Sequence, residues 1–408
     1  MSRFSRVGPR WLAVLLASTG SCWATESIDA DWLRSKQPAA LEFADPNASI
    51  ESSVEALQLA QQQASGSGVT LVAPLRDLAY ALARAGQHRE AIPHLERALS
   101  IVRVNYGVFD LRQIELLKQL AASLSAVGRD AEAQEHMLYA VRAAEKNYGS
   151  PDVRVVPAYC DLGNWFADSG KFRESRMAYQ VALNIVEASA ANDNLAAVEP
   201  LRDFAASFMR ELSHPATVRR EHMPPAFGGI NTILKTEVES PRELAAAAEH
   251  SLREALRILD GNPRASTDQL IDTLVQTGDW FQIRKAPAKA LPYYQRAWRL
   301  IESNAEQVSP GSRLDIPVRV YYPTPLIARN PPAPEVELRY VELEFDVEAD
   351  GSVSKARVVE HDTLDKYAAD VLAAMQEARF RPKFIHGNPV TTRAVSYRQV
   401  LRLSRPVR

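Results

Sequence analysis

Glycine recurs at positions 86, 128 and 170, and the 42-residue step carries a whole pattern with it. The first block reads Leu75, Leu78-Ala79, Leu82, Gly86, Glu90-Ala91, Leu95 and Ala98-Leu99. The second reads Leu120-Ala121, Leu124, Gly128, Glu132-Ala133, Met137 and Ala140-Val141. The third reads Leu162-Gly163, Phe166, Gly170, Glu174-Ser175, Tyr179 and Ala182-Leu183. Even the joint between blocks repeats, Asn105-Tyr106-Gly107 returning as Asn147-Tyr148-Gly149. Apolar residues on either side of each glycine fall at helical spacing. Small residues beside the leucines let two antiparallel helices approach, while larger ones fill the seam. The glycine supplies the left-handed residue that ends the first helix. One such hairpin cannot bury its own apolar face, so the pattern predicts a stack.

A fourth unit opens at Pro200-Leu201-Arg202-Asp203-Phe204-Ala205, nearly a copy of Pro74-Leu75-Arg76-Asp77-Leu78-Ala79. Its second helix is due near residue 217. The pattern reappears instead as Ala248, Leu252 and Ala255-Leu256, 31 residues late. A fifth unit follows, with Thr277-Gly278-Asp279-Trp280-Phe281, Ala290, Tyr294 and Ala297-Trp298. A half-unit from Ser49 to Gln63 is expected to start the stack. Within 214–240, Arg219-Arg220, Pro224-Pro225 and Gly228-Gly229 mark a surface-loop insertion. Disorder is the expectation there and a functional loop the alternative.

The pattern resembles the tetratricopeptide repeat, in its Leu-Gly pair, its mid-turn glycine, and the Glu-Ala and Ala-Leu of the second helix. Its period is longer than the family's usual one and is similar to repeats of the kinesin-light-chain type. The resemblance covers about 48–305 and implies a concave groove, lined by the first helices, that binds a peptide. Carried over, the groove positions are Arg76, Tyr80, Arg84, Lys118, Cys160, Asn164, Arg202, Met209 and Arg210. Arginine forks suit carboxylates, so an acidic peptide or a free C-terminus is the ligand implied. Ordinary solvated helix charges are the competing reading.

Before the stack, Arg3, Arg6 and Arg10 precede an apolar run from Trp11 to Ala17 and a small-residue stretch ending at Ala24. This order reads as a signal peptide over 1–24, cleaved after Ala24, and hence as export to a periplasm. The alternatives are an uncleaved inner-membrane anchor through residues 11–24, and lipid attachment at Cys22. Beyond it only Cys160 remains, in an amphipathic helix, where a packing role is expected.

The C-terminal part changes character. Residues 306–334 are proline-rich and read as an extended linker, with 315–334 leading into a module at 335–408. Val341, Leu343, Phe345 and Val347 alternate with Glu342, Glu344, Asp346 and Glu348, as in a strand with one buried and one acidic face. Asp350-Gly351 marks a hairpin turn, and Lys355 and Arg357 on the returning strand face the acids. Thr363 or Asp362 is expected to cap a helix carrying Leu364, Tyr367, Ala368, Val371, Leu372 and Met375. Phe380 and Pro382 end it, and 391–403 forms a last strand. The predicted order is β-β-α-β.

This module resembles the TonB C-terminal domain, through Tyr322-Pro323, the Asp350-Gly351 hairpin, Leu364-Asp365, Phe380-Arg381-Pro382 and Gly387-Asn388-Pro389-Val390. In that family the domain captures an extended segment of an outer-membrane receptor as an added strand. The resemblance thus implies a contact region at Tyr322, Pro323, Arg393, Val395, Tyr397 and Gln399. The family's transducers carry a membrane anchor and a long spacer, whereas here a helical stack occupies the place of the spacer.

No nucleotide loop of the GxxxxGK[ST] kind, CxxC or HExxH motif occurs. The eight histidines lack spacing that converges on a metal, and no nucleophile has an identifiable base. With 46% apolar residues, 24% charged residues and a net charge of −2, nothing draws the chain to nucleic acid or to an anionic membrane. The sequence therefore predicts a mainly α protein, an α-solenoid of helix hairpins followed by a small α+β domain. It is expected to be a non-enzymatic periplasmic interaction scaffold without a cofactor, binding envelope proteins, among them outer-membrane receptor segments. The alternative is an inner-membrane-anchored energy transducer of the TonB type.

Overall fold

The structure, a computed structural model, describes residues 46–63, 68–149, 151–189, 194–213, 241–304, 313–323 and 336–404. The signal-peptide reading, Cys22, the 214–240 insertion and most of the 306–334 linker lie outside the described residues.

Helix α1 (Pro46–Gln63) packs on the first of five helix hairpins. These pair α2 (Val72–Arg84) with α3 (His88–Tyr106), α4 (Gln113–Ala126) with α5 (Asp130–Tyr148), and α6 (Val156–Asp168) with α7 (Phe172–Ala188). Then α8 (Val198–Ser213) pairs with α9 (Pro241–Gly261), and α10 (Thr267–Ile283) with α11 (Pro287–Ser303). The two helices flanking the insertion thus pack on each other as one hairpin.

The mid-hairpin turns of the first, second, third and fifth hairpins close the same way. Gly86 donates its N–H to the Ala83 carbonyl at 3.0 Å, and Gln87 to that of Leu82 at 2.9 Å. Gly128 with Arg129, and Gly170 with Lys171, repeat the pair of bonds. The left-handed residue that this motif requires is glycine in the first three hairpins, with φ of 80°, 80° and 73°. In the fifth it is Lys285, at φ 56°. The joints repeat as well. Arg112 lies over the Tyr106 ring at 4.1 Å and Arg154 over that of Tyr148 at 4.5 Å, each also bound to the aspartate two residues before it.

The C-terminal module holds β1 (Val318–Tyr321), β2 (Val336–Val347), β3 (Val353–His361), α12 (Asp365–Glu377), β4 (Arg379–Arg381), β5 (Lys383–Ile385), β6 (Asn388–Val390) and β7 (Thr392–Ser404). Strands β3, β2 and β7 form an antiparallel sheet in that order. Val341, Leu343, Phe345 and Val347 form its buried face, in one core with Val371 and Met375 of α12. Two short ribbons, β1 with β4 and β5 with β6, lie outside the predicted order, because strands of three or four residues show no usable alternation. The cap of α12 also differs from expectation. Its N-cap is Leu364, with no side-chain cap, because Asp362 instead accepts the N–H of Tyr340 across the sheet.

Module and stack share a core. Leu314, Val320 and Phe384 are buried in the same apolar cluster as Leu274, Trp280, Tyr294 and Ala297 of the last hairpin. Among the described residues, no helix is long and apolar enough to cross a membrane.

Candidate functional site

Two surfaces follow from this architecture: the inner face of the first helices, and the β7 edge of the sheet, whose other edge strand is β3.

On the first helices, many polar groups are spent on joining neighbouring units. Lys118 reaches Asp161 of the next unit at 2.9 Å and Glu115 of its own helix at 3.5 Å. Burial pulls the ammonium's pKa down, but the two carboxylates outweigh it and leave the pKa raised. Asn164 is buried, donates to Asp203 at 2.9 Å and accepts from the Tyr179 hydroxyl at 2.8 Å. Arg202 donates to Gln276 at 3.1 Å, and Gln276 donates back to the Arg202 carbonyl at 2.8 Å. Arg210 is buried against Asp168 at 3.1 Å. Cys160 and Met209 are interior packing residues. Arg76 and Arg84 are exposed and Tyr80 is half-buried, with Arg76 turned onto its neighbour Asp77 at 2.7 Å. The accessible part of the expected groove set is therefore Arg76, Tyr80 and Arg84 on α2, with Lys118 and Arg202 partly open.

The edge belongs to β7. This strand pairs with β2 from Val336↔Ser404 to Val347↔Thr392, and among the described residues no strand pairs with its other side. Such an edge leaves the N–H and C=O groups of alternate residues of this thirteen-residue strand without a strand partner. Arg393 is exposed, and Val395, Tyr397 and Gln399 are half-buried on the inner face. Tyr397 donates its hydroxyl to Gln399 at 2.7 Å. Tyr322 is buried and meets the Tyr397 ring edge-on at 6.3 Å, next to the half-buried Pro323. The guanidinium of Arg319 lies over both rings, 4.7 Å from Tyr322 and 4.6 Å from Tyr397. Sequence reasoning passed over Arg319, whose only signal is its place three residues before Tyr322.

A third feature is a shallow cleft of about 240 Å³ where the ends of α8 and α10 meet β1, lined by Leu212, Ile283, Arg284, Lys285 and Tyr321. It lies below the usual volume of small-molecule sites. Among the described residues, no group of histidine, cysteine and carboxylate side chains could hold a metal ion.

Residues 110–188, which span the second and third hairpins, match the family model described as Tetratricopeptide repeat. These two hairpins match the tetratricopeptide repeat, and the stack is a tetratricopeptide-like solenoid. Among solved structures the chain is similar to BtubC (BKLC) from P. vanneervenii, at 16% identity and a TM-score of 0.43, over 66% of this chain and 95% of that one. It is also similar to nearly identical TPR-like repeats of the kinesin-light-chain type from Podosopora anserina, at 13% identity and a TM-score of 0.39, over 57% and 96%. No curated protein matches the chain. Tetratricopeptide repeats generally mediate contacts between proteins.

Proposed function

We propose that this protein is a non-enzymatic periplasmic scaffold that holds one partner on its tetratricopeptide groove and another on the edge of its C-terminal sheet. The observation that carries the reading is β7, a thirteen-residue strand that among the described residues is paired on one side only. An extended segment laid along it gains main-chain hydrogen bonds, while Tyr397, Gln399 and Val395 select its side chains. Resemblance of the module to the TonB C-terminal domain points to outer-membrane receptor segments as that partner. The groove reading rests on Arg76, Arg84 and Arg202 and implies an acidic peptide.

A photo-crosslinking residue at Arg393 tests the edge. Adducts are expected there and not at Arg357 on β3; equal yields at both, or none at 393, refute strand addition. Charge reversal at Arg76 and Arg202 together should abolish capture on the groove. Export is tested separately, by fractionation and N-terminal sequencing. A mature chain starting near Thr25 in the soluble periplasm supports the scaffold, and an intact N-terminus in the inner membrane supports an anchored transducer.

A further inference from the structure

Asn164 and Tyr179 of the third unit are matched in the fifth by Asp279 and Tyr294, each 115 residues further on. In the third unit the Tyr179 hydroxyl donates to Asn164, and Asn164 donates onward to Asp203 on the first helix of the next unit. In the fifth, the Tyr294 hydroxyl donates to Asp279 at 2.7 Å. Among the described residues no sixth hairpin follows it, and Arg381 of β4 takes the onward position. Its Nε donates to Asp279 Oδ1 at 2.9 Å and its Nη2 to Oδ2 at 2.8 Å, while Nη1 donates to the Arg313 carbonyl at 2.6 Å. The exchange of asparagine for aspartate follows the partner, since an amide can donate to a carboxylate and a carboxylate can accept a guanidinium fork.

The surrounding contacts also cover the exposed end of the stack. Phe384 is 1% exposed, meets the Tyr294 ring edge-on at 5.7 Å and stacks on Trp298 at 6.5 Å. Its N–H donates to the Leu314 carbonyl at 2.7 Å. Arg313 ties the segment before β1 to Asp272 at 2.7 Å and Asp268 at 3.1 Å on α10. The β2–β3 turn comes down on the same helix, where a Cβ on Gly351 would stand 3.0 Å from the Gln282 amide.

From this we infer that the C-terminal module has a second function, as the terminal cap of the repeat stack. It stands in for the first helix of a sixth unit, so the fifth hairpin depends on it. The last hairpin of any repeat stack has a face with no neighbour, and terminal units must cover it. Here that face includes Tyr294 and Trp298, the two rings that meet Phe384. The module's own core, around Phe345, Val371 and Met375, is a separate cluster.

Hydrogen exchange on the full chain tests this. In Arg381→Ala and in Phe384→Ala, exchange through α10 and α11 should rise roughly tenfold or more, with α4 and α5 unchanged and β2 still protected. Unchanged exchange in α10 and α11 in both variants overturns the proposal, as does a rise confined to the module's strands. In addition, a specific protease site can be placed within 305–312 and cut after the chain has folded. The halves should then co-elute through gel filtration; their separation would overturn the cap.

Discussion

Gly278 lies against the ring of Tyr294 so closely that a Cβ on the glycine would stand 2.3 Å from Cε1. Gly163 and Tyr179 repeat the contact in the third unit, at 2.4 Å. A methyl group at either glycine cannot be absorbed by a flexible chain end, because the obstacle is a buried ring fixed by its own hydrogen bond. Gly163→Ala and Gly278→Ala should each cost about 1–3 kcal/mol, read from denaturant midpoints. A variant as stable as the parent would show that the two helices can separate without loss.

Arg381→Ala leaves Asp279 buried without its cation, and removing one partner of a buried pair costs about 3–5 kcal/mol. Lys285→Ala removes an exposed pair with Glu377 and should cost less than about 1 kcal/mol from that pair. Thermal melts of the two variants should differ accordingly. If Arg381→Ala is as mild as Lys285→Ala, the buried pair is not what fixes the module.

Lys285 holds a left-handed conformation that costs a side-chain-bearing residue about 1–2 kcal/mol. Lys285→Gly should therefore be more stable than Lys285→Ala by about 1 kcal/mol, since both lose the same ion pair. Equal stability of these two variants would contradict a strained turn.

Burial pushes the phenols of Tyr179 and Tyr294 well above the ordinary value of 10, with Asp203 and Asp279 adding to it. Unfolding returns each phenol to the ordinary value, so between that value and the folded one the unfolded state releases a proton that the folded state keeps. Stability from these groups is thus fully present below pH 10 and is lost as pH rises beyond it. The phenolate absorbance of these two residues should appear together with the loss of helical circular dichroism. Titration while the helices stay intact would be the contrary result. Tyr179→Phe and Tyr294→Phe assign the signal.

The repeat was legible because many residues recur at a single 42-residue offset and each of Gly86, Gly128 and Gly170 sits in the same hydrogen-bonded turn. The split fourth unit was legible for the same reason, since register survives an insertion. The substitution of Lys285 for the turn glycine was not, because a lysine carries no sign of positive φ. In the groove, family positions identified Asn164 and Arg210 but gave no warning of their burial. That burial arises from Asp203 and Asp168, acids on neighbouring units that one helix's periodicity does not reveal. In the sequence, Phe380-Arg381-Pro382 shows only a helix terminator and a piece of motif. Its bond to Asp279 joins residues 102 apart, beyond the reach of any local pattern.

The fourth hairpin closes although Ser213 and Pro241, the adjoining ends of its two helices, are far apart in sequence. Closure entropy grows only with the logarithm of loop length, about 0.6 kcal/mol for each doubling. The joint can therefore accept a shorter linker, or an entire folded guest whose termini lie close together, with little change in the stability of its host. Displaced by 31 residues relative to the repeat, this helix junction is a natural place to graft a reporter or an affinity handle.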